Sequence, residues 1–102
     1  MTEEEIIVKR EQLGTPYLKE MKEAQVCLNC ARNAIVKANH TEDRPGTAQL
    51  LGAAIAHLDG ASKAACEAMH VTVTNTERFL CKVLISQISN VRDLINDRTL
   101  AL

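Results

Sequence analysis

Apolar residues recur at helical spacing in three long blocks, and the middle one, residues 47–70, sets the terms for the rest. At 100° per residue, Leu51, Ile55, Leu58, Ala65 and Met69, with Ser62 among them, share one stripe. A second sector beside it holds Leu50, Ala53, Ala54, His57, Gly60, Ala61, Ala64 and Ala68. The remaining arc is polar, with Gln49, Asp59, Lys63, Glu67 and His70, and Gly52 and Ala56 between them. A small-residue sector offers little area to bury but lets another backbone come close. Glycine in a helix interior costs roughly 0.8–1 kcal/mol relative to alanine. Gly52 and Gly60 are therefore expected to be compensated by close packing.

The same pattern predicts the other elements. Thr2 is a suitable N-cap for Glu3, Glu4 and Glu5, and Gly14 a natural stop, so residues 3–13 read as a short helix contributing Ile6, Ile7 and Leu13. Thr15 and Pro16 open a second helix over 16–39. In it Tyr17, Met21, Ala24, Leu28, Ala31, Ile35 and Ala38 form a seam at alternating spacing of four and three, flanked by Cys27, Cys30 and Ala34. The polar segment 40–46, with Pro45 and Gly46, reads as a loop joining an antiparallel pair. Val71–Thr74 reads as an extended connection, and Thr74-Asn-Thr-Glu77 as a capping box. A last helix over 75–98 presents Leu80, Cys81, Leu84, Ile88, Val91 and Ile95, flanked by Phe79, Val83 and Leu94.

The prediction is a single all-α domain over 1–102: a short N-terminal helix plus three long helices (47–70 the middle one) in an antiparallel bundle. Three faces this wide carry more apolar surface than one small protomer readily hides, so a homo-oligomer is expected. The small-residue sector, Ala53, Ala54, Gly60, Ala61, Ala64 and Ala68, is the interface this reading assigns to it.

Composition narrows the function classes. The chain has 102 residues, 46% of them hydrophobic, which excludes a disordered chain. Its formal net charge of −1 gives no bulk attraction to nucleic acid or an anionic membrane. Tyr17 and Phe79 are its aromatic residues, too few for a base-stacking platform. The acidic start does not read as a signal peptide, and no stretch approaches the apolar length of a membrane span. Cysteines in a helical chain of this kind read as reduced thiols, so a cytoplasmic protein is expected.

Candidate chemistry is sparse. Cys27-Leu-Asn-Cys30 has metal-ligand spacing but lies mid-helix, not in the turn or helix start that such motifs use, so buried thiols are the expected reading. A metal-binding bundle would join Cys27 and Cys30 with Cys66 or His57. Cys66 and Cys81 look core-facing. Glu67 and His70 form one Glu-x-x-His, which reads as a solvated face. Asp59, Lys63 and Glu67 form a chain of i,i+4 ion pairs. His57, in a mostly apolar sector, is either a satisfied core histidine or a pocket residue that bonds a ligand. There is no nucleophile elbow, P-loop, dinucleotide fingerprint or zinc-protease motif, so no enzyme and no cofactor are expected.

The opening Thr2-Glu-Glu-Glu-Ile6, followed by Leu13-Gly14 and two long helices joined by a polar loop, resembles the small phage helical-hairpin proteins that sequester cyclic oligonucleotides and blunt the CBASS defence. His57-Leu58 would lie in that family's second helix. The family's aromatic-basic N-terminal stretch and the arginine near the end of its second helix are not matched, and helix 75–98 would be an addition. The resemblance implies an oligomer holding a small anionic ligand between subunits, with Lys19, Lys22, Arg32 and Lys37 as phosphate partners beside His57. Taken together, the sequence points first to a non-catalytic helical oligomer that binds or inhibits a protein partner, as a phage or bacterial regulator does. A sponge or sensor for an anionic, cyclic-nucleotide-like ligand is the alternative, and a metal-binding bundle the second alternative.

Overall fold

The computed structural model describes residues 2–5 and 16–102, and all regular structure among them is helical. Three long helices follow one another: α1 (Pro16–Asn39), α2 (Arg44–His70) and α3 (Asn75–Leu100). They run up, down and up, joined by four-residue connections at 40–43 and 71–74. Residues 3–5 form a helical turn in which the Thr2 hydroxyl accepts from the Glu5 amide, as expected for an N-cap. The remainder of the short helix expected over 3–13 lies outside the described residues.

α2 starts three residues before the predicted boundary. Asp43 supplies the N-cap, its carboxylate accepting from the Gly46 amide at 2.7 Å. Pro45 falls in the first turn, where its missing N–H costs nothing. The Pro-Gly pair read as loop is thus a helix start. A Cβ at Gly46 would lie 2.7 Å from the capping oxygen of Asp43, so a side chain there would require the cap carboxylate to shift. The capping box at α3 forms as predicted. The Thr74 hydroxyl accepts from the Glu77 amide at 3.1 Å, and the buried Glu77 carboxylate accepts from the Val73 and Thr74 amides.

α1 and α2 pack along most of their length, and the two small-residue flanks meet. Ala24, Ala31, Ala34 and Ala38 of α1 and Ala54, Ala61 and Ala64 of α2 are buried together, with Leu28, Leu51 and Leu58 filling between them. This corrects the interface expected between copies: Ala54, Ala61, Ala64 and Ala68 are enclosed within one protomer, Gly60 is half-buried against Cys27, and only Ala53 stands exposed. The physical reason is that α1 carries the complementary alanine face. Gly52 is likewise corrected, because nothing lies within 4 Å of where its Cβ would be.

α3 leans on α2 and barely touches α1. Cys81, Leu84, Ile88, Val91 and Ile95 face the core, whereas Leu80, predicted to join them, is 45% exposed. Cys81 and Tyr17 close the lower end with Ala68. There the Thr76 amide, an unpaired donor of the first turn of α3, donates to the Glu3 carboxylate. The Thr76 hydroxyl, together with that amide, holds the Glu3 carboxyl below the usual carboxylate range.

The two glycines of α2 separate under substitution. Gly52→Ala is expected to raise stability by about 0.8–1 kcal/mol, since it adds helix propensity and meets no atom. Gly60→Leu is expected to lower the melting temperature by forcing α1 away at Cys27. Thermal unfolding followed by circular dichroism measures both, and equal melting temperatures would contradict the packing described.

Candidate interaction surface

Two heptad seams run side by side along α3. Glu77, Cys81, Leu84, Ile88, Val91 and Ile95 recur at spacing of four and three, and all are buried. The second seam, Leu80, Val83, Gln87, Asn90 and Leu94, has the same spacing and faces outward. Its apolar members are 38–48% exposed, and Phe79 at its edge is 64% exposed. Between this seam and α1 runs an open groove of about 220 Å³, lined by Met21, Gln25, Leu80, Val83, Leu84 and Gln87. It stays open because α1 and α3 hardly touch. Exposed Val26 and Val36 of α1 stand apart as single residues, but on α3 Phe79, Leu80 and Val83 cluster, and Leu94 follows beyond the amides Gln87 and Asn90. Sequence reasoning counted this strip as part of the core face. The amides Gln87 and Asn90 were the available sign that a second, half-polar face was present.

The residues expected to hold an anion are only partly brought together. Lys37 and His57 line one recess of about 300 Å³ between α1 and α2, with Cys30, Asn33, Leu50 and Ala53. His57 is exposed there, which excludes the satisfied-core reading. Lys19, on the same side of α1 as Lys37, lies eighteen residues away, about 27 Å along the helix. Lys22 and Arg32 project from other parts of the α1 surface, and neither lines that recess.

Of the two metal sets expected, the one with Cys66 is separated by α2 itself, whereas Cys30 and His57 line the same recess. Cys27 packs on Gly60 on the α1 side, whereas Cys66 is exposed and lines a recess with Ile85, Ser89 and Arg92 on the α3 side. Cys66 is thus not core-facing as the sequence predicted. Among the described residues no three His, Cys, Asp or Glu side chains converge to hold a metal. Glu67 and His70 are exposed, as expected. Asp59 pairs not along its own helix but across to Arg92 of α3, at 3.0 Å. Both partners are substantially exposed, so the pair contributes a few tenths of a kcal/mol up to about 1. Lys63 and Glu67 instead border a 290 Å³ recess with Glu20 and Glu23. No described helix is long and apolar enough to cross a membrane.

The thiols differ in reactivity for a physical reason. Burial, reinforced by the nearby Glu77 carboxylate, pushes the Cys81 thiol up, and burial together with Glu23 does the same to Cys27. A raised value leaves less thiolate, the reactive form. In the native protein at neutral pH, iodoacetamide is therefore expected to modify Cys66 first and Cys81 last, with Cys27 slow. Peptide mass mapping over time checks the order, and early modification of Cys81 would contradict the burial of that end of the bundle. No protein-family model matches the chain, and no curated protein or solved structure is significantly similar to it, so the functional reading rests on the chain's own geometry.

Proposed function

We propose that the chain is a non-catalytic helical interaction module that binds a protein partner, as a regulator or inhibitor does. The outer strip of α3 carries this reading. Phe79, Leu80, Val83 and Leu94 line one side of one helix next to an open groove. Scattered exposed apolar residues are ordinary, but an apolar cluster beside a groove and bounded by polar groups is what docking surfaces offer. A helix lying along such a groove is a common way for proteins to engage it.

A second reading, a sponge or sensor for a small anionic ligand, draws on the recess shared by Lys37 and His57. It has less behind it, because Lys19, Lys22 and Arg32 do not converge there. Native mass spectrometry of protein taken from source cells tests it. A bound anionic mass that disappears in Lys37→Glu supports it, and the bare chain mass from both proteins removes it.

The protein-partner reading is tested by placing a photo-crosslinking phenylalanine at Phe79 or Leu94, with exposed Asn96 as the control position. In source cells, irradiation is expected to join the first two positions, and not the third, to one different protein identifiable by mass spectrometry. Adducts to other proteins that are no more frequent from the strip than from Asn96 would remove the reading.

A further inference from the structure

We propose that Met21 is a site of oxidation by hydroperoxides, and that its sulfoxide loosens α3 from α1 and uncovers the Cys81 thiol. This goes beyond the docking reading and needs no partner on α3.

Met21 stands at a joint of the molecule. It packs against both hydrophobic clusters, the large one shared by the three helices and the small one of Tyr17, Ala68 and Cys81. Its thioether sulfur lies 3.7 Å from the Cys81 sulfur and accepts from that thiol. Cys81 is fully buried, whereas Met21 is half-buried and borders the open groove between α1 and α3. The side chain therefore has the groove on one flank and the thiol on another. α1 and α3 touch little, so the contact of Met21 with Cys81 is a large share of what joins them.

Of the two sulfurs, the thioether is the one that reacts first. Burial keeps the Cys81 thiol in its protonated, unreactive form. A thioether needs no deprotonation. A lone pair of the Met21 sulfur attacks one oxygen of the hydroperoxide, and the S–O bond forms as the O–O bond breaks. The other oxygen leaves as an alcohol or water, taking the proton from the oxygen transferred. Methionine loses two electrons and the hydroperoxide gains them. The product is polar where the thioether was apolar. Burying an unpaired polar group is costly, so the sulfoxide turns toward the water of the groove and the cover over Cys81 is lost. Cys27, which packs on Gly60 between α1 and α2, reports whether that pair stays closed.

The test uses the full chain carrying Cys66→Ser, which removes the exposed thiol. The protein is treated with hydrogen peroxide, cleared of it with catalase and pulsed with iodoacetamide. Peptide mass mapping then reads Met21, Met69, Cys27 and Cys81. Met21 is expected to become sulfoxide no later than Met69, which is also half-buried. Alkylation of Cys81 is then expected to rise about tenfold or more while that of Cys27 stays unchanged. Met21→Leu keeps the size of the side chain without an oxidisable sulfur, and in it Cys81 is expected to stay slow after the same treatment. Oxidation of Met69 ahead of Met21 overturns the proposal, because the groove then gives peroxide no access. A Met21 sulfoxide that leaves Cys81 slow overturns it too, as does an equal rise at Cys27 and Cys81, the mark of whole-chain unfolding. Fast Cys81 alkylation in peroxide-treated Met21→Leu assigns the effect to another residue and is equally fatal.

Discussion

The contact between α1 and α2 is made by side chains too small to hold two backbones apart. Alanines on both helices meet without a thick layer of large residues between them, and Leu28, Leu51 and Leu58 fill the space that remains. Close approach gives dispersion contacts along most of the two helices, and interiors reward such contact only when few gaps are left. Everything else in the molecule is arranged around this pair. α3 packs mainly on α2, and the Thr74–Glu77 cap fixes where α3 begins. Because α1 and α2 pack so closely, the buried alanines of the small-residue sector face inward, and Ala53 and His57 are its exposed members.

Much of this was legible in the amino-acid sequence. The seam of α1, the core positions of α2, the capping box and the absence of strands among the described residues follow from periodicity and cap chemistry, which act locally. Pro45 misled because proline and glycine together mark a loop in most settings, yet proline is equally at home in the first turn when an aspartate precedes it. Leu80 misled for a different reason. Two seams one position apart on the same helix are equally helical in period, and only the tertiary contact decides which is buried. The pairing of Asp59 with Arg92, thirty-three residues on, is likewise invisible to local spacing.

The candidate surface was the harder part to foresee. An apolar excess was expected, but its place was assigned to the middle helix, where small residues were conspicuous. Small residues serve an internal neighbour as readily as an external one, and the alanine face of α1 decided the matter. The excess lies instead on α3, which packs on α2 less extensively than α1 does. A helix in that position has more than one flank uncovered, and its second seam shows what sequence those flanks have been given.

The weak contact between α1 and α3 also bears on how the chain reaches this arrangement. Each strongly packed pair is adjacent in the chain and joined by a four-residue connection. Few distant segments need to find one another before favourable burial begins, so the loop-closure entropy of assembly is small, a topology that favours fast folding. The α1–α2 hairpin contains most of the buried alanines and leucines by itself, which makes it the natural nucleus, with α3 docking onto a template already formed.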